Sequence, residues 1–327
     1  MPDSWVLPQL LEREGFVLTS IQDSEAHIFV ALDYDRSSVK RISKIVPTSR
    51  RLLFAFEPKA VNPRQHSSKV RSQFAQTVVM SPLQRFCETD QVLTLGALFP
   101  QEVLLQLALN SRSKRENAIV ILNENKFSFV PGNNYKIRQL TIQKLAKEGW
   151  KVHVGGKNWT RSVVWQVRRQ LESLLFARLS GSAVDLGSLR LAPKNWSKNI
   201  TFHGQIPTGF EFMCRFKYAL VIENDMNYVS EKLPNAIAAG CIPLFVGANL
   251  AIHGIPDDVA IRATPDTDDI LKVLGEVSEA DCLDVLGAGK EWLSKPETLE
   301  NFSHDVGLER IVATIKNFAA TSKNYAD

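Results

Sequence analysis

The 327-residue chain has few cysteines and no long hydrophobic run near its start, and each absence excludes a class of protein. Its four cysteines are widely spaced and include no Cys-x-x-Cys pair: Cys87, Cys214, Cys241 and Cys282. A disulfide framework and a zinc site of closely spaced thiols are therefore excluded. The opening residues, MPDSWVLPQLLEREGF, lack the basic segment and the apolar stretch of a signal peptide or membrane anchor. We therefore expect a cytoplasmic protein without a transmembrane anchor.

Charge is unevenly distributed along the chain, although the net charge is only +4. Between Arg36 and Arg71 there are ten basic residues and a single acid, Glu57. This basic segment predicts contact with an anionic membrane face or a phosphorylated glycan, and a solvated basic face explains it equally well. Nucleic acid is not favoured, because the aromatic residues lie within apolar runs instead of alternating with the basic residues as stacking platforms. Peripheral binding to the inner membrane face is an open alternative to a freely cytoplasmic protein.

Short apolar runs alternate with helical patterns, which is typical of an α/β protein. In the first half, apolar runs occupy residues 27–32, 51–56 and 77–80. After a polar segment at 110–117, strand patterns at 118–122, 151–154, 217–223 and 242–246 alternate with helical patterns at 135–148 and 230–239. Residues 163–179 have the spacing of an amphipathic helix with no chemistry of its own. We predict two domains, 1–115 and 116–327, with a last helix at 306–318 that can pack back on the first domain.

Residues 217–247, KYALVIENDMNYVSEKLPNAIAAGCIPLFVG, concentrate the chemistry of this chain. An apolar strand ends at Glu223 and Asn224, a short polar turn follows, and a helix closed by Gly240 leads directly into a second strand. In parallel α/β sheets, ligands lie at the carboxyl ends of strands, and helix amino termini there hold phosphates. The segment therefore predicts a nucleotide pocket.

Four residues around the start of this helix suit a nucleotide ligand. Ser230 is the expected N-cap, because its hydroxyl can accept a hydrogen bond from a free amide of the first turn. Lys232 would place a full positive charge beside a diphosphate, and the two carboxylate oxygens of Glu231 suit the two hydroxyls of a ribose. Tyr228 presents a ring face and a hydroxyl at the same place. Taken singly, each residue is more typical of an ordinary helix start or core, and only the ordered set favours the pocket.

The order of these residues resembles the donor-binding signature of the α-1,3/α-1,4-fucosyltransferases, the inverting GDP-fucose enzymes of glycosyltransferase family 10. The matching positions are Glu223-Asn224, Tyr228-Val229-Ser230-Glu231-Lys232-Leu233, Asn235-Ala236, Ala239-Gly240, Pro243 and Gly247. A downstream segment, Ile255-Pro256-Asp257-Asp258, is similar to another of the family's motifs. Exostosin-type glycosyltransferases share the small-residue part of the signature but not the Tyr-x-Ser-Glu-Lys part. The resemblance implies a soluble bacterial or viral type of fucosyltransferase with the GT-B arrangement, two Rossmann-like domains facing a central cleft.

The resemblance also implies roles for individual residues. Tyr135-Lys136-Ile137-Arg138 matches the family's Tyr-x-x-Arg, whose arginine contacts the donor phosphates. The apolar strand that ends in Glu57 matches the segment whose glutamate is the proposed general base. We expect Arg138, Asn224, Tyr228, Glu231 and Lys232 to bind the donor, with Lys217, Glu223 and Asn125 as further candidates.

The predicted reaction is the transfer of L-fucose from GDP-β-L-fucose to a glycan hydroxyl, with the N-acetylglucosamine of a LacNAc-type unit as the expected acceptor. Glu57 would take the acceptor's proton, and its flanking aromatic residues would desolvate it and raise its pKa. No cofactor and no essential divalent metal is expected, because the donor segment holds no Asp-x-Asp motif. The triplets at 33–35 and 266–268 are interpreted as solvated loop acids. Two alternatives remain: a similar enzyme that uses another nucleotide sugar, and a non-catalytic protein that binds nucleotide sugars.

Overall fold

The chain folds into two parallel β-sheets in a computed structural model that describes residues 6–20, 26–85, 90–93, 115–190 and 196–323. The first sheet has the strand order β1-β2-β3-β4, with β1 (Phe29–Leu32), β2 (Arg51–Ala55), β3 (Gln76–Val79) and β4 (Gln91–Val92). The second sheet has the order β10-β9-β8-β5-β6-β7, with β5 (Glu116–Leu122), β6 (Val152–Gly155), β7 (Ile200–Gly204), β8 (Phe216–Ile222), β9 (Ile242–Val246) and β10 (Ile261–Arg262). The sequence-based prediction of an α/β fold with parallel sheets is confirmed.

Helices cover both faces of each sheet, as parallel connections require. The described α-helices are α1 (Val6–Arg13), α2 (Arg36–Ile42), α3 (Ser68–Arg71), α4 (Tyr135–Lys147), α5 (Val163–Leu179), α6 (Gly209–Met213), α7 (Lys232–Ala238), α8 (Thr267–Glu276), α9 (Glu279–Ser294), α10 (Pro296–Phe302) and α11 (His304–Lys323). The ends of several helices follow from local chemistry. Asp35 caps α2 through the amide of Ser38, and Gly240, in the left-handed conformation at φ +68°, ends α7.

The predicted polar linker at 110–117 is only partly described. Residues 94–114 lie outside the described part of the chain, and Glu116 and Asn117 belong to strand β5. The predicted boundary between 115 and 116 therefore stays a prediction. The last helix, α11, packs against α1 and against the first sheet through a cluster that includes Leu308, Ile311 and Ile315.

Contacts between the two halves position the cleft. The Ser128 hydroxyl donates to the Ala60 carbonyl at 2.8 Å, and the Ala60 amide donates to the Asp225 carboxylate at 3.4 Å. On another edge, the Ser81 hydroxyl lies 3.3 Å from His253 Nε2. These contacts bring the carboxyl ends of strands from both sheets to the same place.

The basic segment between Arg36 and Arg71 is less of a surface feature than its sequence predicts. Arg51 is buried and donates to the Val46 carbonyl at 2.8 Å, and Arg71 is buried against Asp90 and the Gln84 carbonyl. Their guanidinium groups stabilise backbone turns and are not available to an anionic surface. Over the described ranges, no helix is both long and apolar enough to span a membrane.

Candidate functional site

A cavity of about 320 Å³ lies where strand ends of the two sheets face each other. The first half contributes Asp33, Phe56 and Glu57, and the second half contributes Leu122, Asn123, Glu124, Lys126, Tyr135, Arg138, Asn224, Tyr228, Glu231 and Lys232. The predicted base Glu57 and the predicted donor residues Arg138, Asn224, Tyr228, Glu231 and Lys232 are therefore brought together. They come from three segments that are far apart in the sequence, at residues 57, 138 and 224–232.

Lys232 is held by a buried carboxylate at the end of β8. Its ammonium donates to Glu223 Oε2 at 3.0 Å and to the Ser230 hydroxyl at 2.7 Å, and its side chain is 20% exposed. Burial alone would lower the pKa of Lys232, but the carboxylates of Glu223 and Glu231 outweigh it and raise this pKa above its usual value. An ammonium has three donors, and two of them are used here. The charge is therefore retained, and one donor remains for a ligand.

Ser230 lies one position before the N-cap, but its hydroxyl accepts a hydrogen bond from the amide of Lys232 in the first turn at 3.4 Å, as predicted. Helix α7 begins at Lys232, and Glu231 occupies the capping position without a side-chain bond. Ser230 donates to Glu223 from its amide at 2.7 Å and from its hydroxyl at 2.8 Å. Glu223 is thus fully buried behind the cavity wall, where its carboxylate holds the loop in place. It does not line the cavity, so it is not the predicted contact to the donor substrate.

Gly247 has a packing role behind this loop. A Cβ at this position would meet the Phe245 ring at 2.5 Å and Glu223 Cγ at 2.9 Å. A residue without a side chain is therefore required if Glu223 is to pack beneath Lys232.

Arg138 is 2% exposed and lines the cavity from helix α4. One terminal nitrogen donates to the Ile222 carbonyl at 2.6 Å and to Asn224 Oδ1 at 3.3 Å, while its Nε has no hydrogen-bond partner among the described residues. The guanidinium lies 5.1 Å from the centre of the Tyr135 ring. Burial lowers the pKa of Arg138, which favours an anionic partner that would compensate for its desolvation. A buried donor without a partner beside a cavity is the feature expected of an anion contact.

Glu231 and Tyr228 complete the second half of the cavity. Glu231 is partly exposed at the start of α7, whereas Tyr228 is 7% exposed, and burial raises the pKa of its hydroxyl well above its usual value. Tyr228 therefore stays neutral and can donate a hydrogen bond. The charged residues that line the cavity are the cations Lys126, Arg138 and Lys232 and the acids Asp33, Glu57, Glu124 and Glu231. An anion would contact the cations of the second half, while two of the acids lie on the opposite wall.

Glu57 and Asp33 form a pair of carboxylates on that opposite wall. The Glu57 amide donates to Asp33 Oδ1 at 2.9 Å. Burial, followed by the negative charge of Asp33, raises the pKa of Glu57, although Lys126 and Lys232 oppose the shift. A carboxylate with a raised pKa at the edge of a cavity suits a general base.

Gln65 ties the two strand ends that carry these carboxylates. Its amide nitrogen donates to Asp33 Oδ1 at 2.9 Å and to the Glu57 carbonyl at 2.7 Å, and its oxygen accepts from the Tyr34 amide at 2.9 Å. The side chain is fully buried. Asp33 itself has φ +62°, a left-handed conformation that costs free energy for a residue with a side chain. The strained turn is therefore held in place by hydrogen bonds.

Besides Glu223, two other predicted residues are not brought to the cavity. Lys217 lies at the start of β8, five residues before its cavity end, which corresponds to roughly 17 Å along a strand. Asn125 is 1% exposed, accepts from Arg190 at 2.9 Å and donates to the Asn158 carbonyl at 3.2 Å. The oxygen and the nitrogen of the Asn125 side-chain amide are thus both bonded within the fold, and the residue lines a second cavity instead.

Sequence reasoning missed several cavity residues, above all Asp33. The interpretation of the 33–35 triplet as solvated loop acids is wrong for Asp33, which lines the cavity, whereas Asp35 caps a helix and Asp266 caps α8. The signal was available, because Asp33 follows an apolar strand just as Glu57 does. Glu124 and Lys126 follow β5 in the same way.

A second cavity of about 360 Å³ lies beside the first and shares Glu124, Lys126 and Tyr135 with it. Its walls are helix α5, the loop after β5 and two residues of the first half. The lining includes the aromatic residues Phe127, Trp165 and Phe176 and the charged residues Arg169 and Glu172. Aromatic faces with charged neighbours suit sugar rings, whose surfaces are both apolar and polar.

Nothing in the described residues points to a metal. No group of three or more His, Cys, Asp or Glu side chains within those ranges is placed so as to hold an ion. The expectation that no divalent metal is required stays a prediction.

No protein-family profile and no curated protein sequence matches the chain. Solved structures do resemble it: a glycosyltransferase from Rickettsia africae has a TM-score of 0.51 and 11% identity over 97% of this chain and 80% of that chain. Trehalose-6-phosphate synthase from Burkholderia multivorans has a TM-score of 0.56 and 12% identity over 99% and 75%. HepE from Anabaena, in complex with UDP and glucose, has a TM-score of 0.57 and 12% identity over 95% and 81%. At these identities the likeness concerns the fold, and the chain has the GT-B fold, with two Rossmann-like α/β domains facing a cleft.

Proposed function

We propose that this chain is an inverting glycosyltransferase that moves L-fucose from GDP-β-L-fucose to a hydroxyl of a glycan acceptor. One observation carries the proposal: a single cavity joins the carboxylate of Glu57 from one sheet to the cations Arg138 and Lys232 from the other. The likeness in fold to HepE, which is in complex with UDP and glucose, supports a nucleotide-sugar donor. The choice of GDP-fucose rests on the residue signature between Glu223 and Gly247.

The donor would be held by the second half of the cavity. Glu231, partly exposed at the start of α7, suits the ribose hydroxyls, because its two carboxylate oxygens can accept two hydrogen bonds side by side. Lys232 has one donor left after its bonds to Glu223 and Ser230, and Arg138 has its Nε without a partner among the described residues. Both can therefore donate to a diphosphate without losing the bonds that position them. Tyr228 and Asn224 would lie near the sugar.

The reaction would be a single displacement. The acceptor oxygen forms a bond to the anomeric carbon as the bond from that carbon to the diphosphate oxygen breaks, and the configuration inverts. Glu57 takes the proton of the acceptor hydroxyl, and the electron pair of the broken bond leaves with GDP. The charge that develops on GDP is stabilised by Arg138 and Lys232, which already have their positions before the reaction.

The acceptor would enter through the second cavity. That cavity adjoins the first through Glu124, Lys126 and Tyr135, and its aromatic residues Trp165 and Phe176 can stack on sugar rings. A glycan bound there would extend toward Glu57, which places the acceptor on the side of the base.

A second candidate uses a UDP-hexose as donor. It is favoured by the likeness to HepE in complex with UDP-glucose, which has a TM-score of 0.55 and 11% identity. The residues that face the ribose and the diphosphate do not discriminate between guanine and uracil.

A panel of nucleotide sugars tests these proposals. We expect the protein to hydrolyse GDP-fucose slowly without an acceptor and to transfer fucose to Galβ1-4GlcNAc or Galβ1-3GlcNAc. Hydrolysis of UDP-glucose but not of GDP-fucose would favour the second candidate. Thermal stabilisation by GDP without turnover of any nucleotide sugar would indicate a binding protein that is not an enzyme. The variant Lys217→Gln should show the same turnover as the unmodified protein, since Lys217 lies at the far end of β8 from the cavity.

A further inference from the structure

Helix α5 (Val163–Leu179) turns polar side chains toward the protein interior and apolar side chains toward solvent. Its buried residues are Gln166, Gln170 and Ala177. Four of its apolar residues are well exposed: Val164 at 80%, Leu171 at 61%, Leu175 at 56% and Leu179 at 66%. These four positions are spaced by seven, four and four residues, so they form one stripe along the helix. A surface helix normally turns such a stripe toward the core.

The orientation of α5 is fixed by hydrogen bonds on its buried side. Gln166 Nε2 donates to the Arg161 carbonyl at 2.9 Å, and Gln170 Oε1 accepts from the Arg190 amide at 2.9 Å. Ser173 also donates to the Phe127 carbonyl at 3.0 Å. Rotating the helix to bury its leucines would break these bonds and leave polar groups buried without partners. The apolar stripe is therefore directed outward by the fold.

Two more exposed leucines lie in the loop that is bonded to α5, and the helix also carries basic residues. Leu186 and Leu189 are 68% and 61% exposed, and Leu189 precedes Arg190, whose amide bonds to α5. From residue 161 to 179 the chain has four arginines, Arg161, Arg168, Arg169 and Arg178, against one acid, Glu172. We name this surface of α5 and the 186–189 loop the outer apolar face.

The charge of the outer apolar face decides between two occupants. A second copy of this chain would bring arginines against arginines, and like charges across an interface oppose association. An anionic bilayer offers both an apolar interior for the leucines and negative headgroups for the arginines. An interfacial helix with apolar residues on one side and basic residues beside them matches this partner.

We propose that the outer apolar face binds the surface of an anionic membrane, with α5 lying in the plane of the interface. This inference rests on the proposed function and adds the class of acceptor to it: the acceptor would be a glycan attached to a lipid. The same helix turns Trp165 and Phe176 into the second cavity. A membrane against the outer side of α5 would therefore bring a lipid-linked glycan next to the entrance of that cavity.

Sedimentation with lipid vesicles tests the surface without any nucleotide sugar. The full-length protein is mixed with vesicles of phosphatidylcholine, or of phosphatidylcholine with about one third phosphatidylglycerol, and the bound fraction is measured. We expect binding to the anionic vesicles that Leu171→Glu weakens about tenfold or more, because it places a charge in the bilayer boundary. Leu283→Glu is the matched control, since Leu283 is 57% exposed on the distant helix α9. Arg178→Gln should weaken binding to the anionic vesicles and leave binding to the neutral ones unchanged.

Several results would overturn the proposal. One is a wild-type protein that stays in the supernatant with both vesicle types. Another is equal binding by the wild type and Leu171→Glu, or an equal loss in Leu283→Glu. Sedimentation velocity tests whether a second copy of the chain binds this face instead. If the wild type is a dimer that Leu171→Glu dissociates, and it does not bind vesicles, the face serves self-association. Vesicle binding by a protein that turns over no nucleotide sugar would contradict the proposed function and leave the membrane surface in place.

Discussion

At the scale of single residues, the site depends on charges that are buried beside one another. Lys232 keeps its charge because Glu223 lies beneath it, and Glu57 has a raised pKa because it is buried beside Asp33. The first arrangement favours a permanent cation for a leaving diphosphate. The second favours a base that binds a proton more readily than a solvated carboxylate does.

Glu57→Gln should abolish transfer while stabilising the protein. Loss of the base is expected to lower kcat about 100-fold or more. The folded-state pKa of Glu57 is raised, so its contribution to stability is full at low pH and is lost as the pH rises through that pKa. The neutral glutamine avoids this loss, and we expect a Tm about 2 °C higher at neutral pH and no difference in acid. Equal kcat in the variant and the wild type would exclude Glu57 as the base.

Asp33→Asn should shift the pH profile of the reaction. Glu57 acts when deprotonated, so activity falls as the pH drops through its raised pKa. Asparagine keeps an oxygen for the amides of Glu57 and Gln65 but removes the neighbouring negative charge. The acid limb of kcat/KM should therefore move to lower pH. An unchanged acid limb would show that another group controls it.

Lys232→Met should weaken both donor binding and folding. The variant leaves Glu223 buried without its cation, which is expected to cost about 3 kcal/mol in the free energy of unfolding. The double variant Glu223→Gln/Lys232→Met removes the unpaired charge and should recover most of that stability, measured by urea denaturation. It should not recover donor binding, measured by calorimetry with GDP. Recovery of donor binding would remove Lys232 from the site.

At the scale of elements, the site is a junction of strand ends. The loops after β1, β2, β5 and β8 all contribute to one cavity, because carboxyl ends of parallel strands lie on one edge of each sheet. Gln65, in the short helical turn Pro63–His66, joins the ends of β1 and β2 across the first sheet. Its hydrogen bonds to Asp33, to the Glu57 carbonyl and to the Tyr34 amide make it a positioning residue for Glu57.

Gln65→Leu should lower kcat without changing the affinity for the donor. The variant removes the bonds to Asp33, to the Glu57 carbonyl and to the Tyr34 amide, and should cost about 2 kcal/mol in the free energy of unfolding. A merely structural role would lower stability but leave the pH profile of kcat unchanged. Gln73→Leu is the control, because Gln73 donates to the Lys69 carbonyl on an exposed surface. Equal kcat values in the two variants would contradict the positioning role.

At the scale of the whole molecule, the two halves are joined by more than the cavity. Helix α11 comes last in the chain but packs on α1 and the first sheet, and Lys316 pairs with Glu14. The first sheet thus depends on the C-terminal end of the chain for part of its core. Contacts such as Ser128 with Ala60 and Ser81 with His253 tie the halves from the other direction.

Ile315→Ala tests this dependence. Ile315 is 1% exposed in the cluster that α11 shares with α1 and β2. The cavity left by the truncation should lower the free energy of unfolding by about 3 kcal/mol. Asn317→Ala, at an exposed position of the same helix, should change it little. In Ile315→Ala, amide hydrogen exchange should become faster in β2 as well as in α11. Faster exchange in α11 alone would contradict a shared core.

Much of the second half could be predicted because its signals are local. Strand β8, helix α7 and strand β9 follow one another within about thirty residues, and Gly240 marks the end of the helix. The contact of Ser230 with a first-turn amide could be predicted, but its hydrogen bonds to Glu223, which lies across the loop, could not. The destination of Asn125 depended on Arg190, which is 65 residues away. Hydrogen bonds between side chains in different segments leave no periodic pattern in the sequence that would predict them.

The sequence by itself determined the alternation of strands and helices, the ends of α5, and the group of charged residues around Lys232. Side-chain periodicity and helix-ending residues act over a few positions, so they can be read without a fold. Only the tertiary structure decided that Asp33 joins Glu57, that Lys217 lies at the far end of its strand, and that the leucines of α5 face outward. Strand order and helix rotation are set by pairing and packing between distant segments, and these decide which side chains share a cavity and which face solvent.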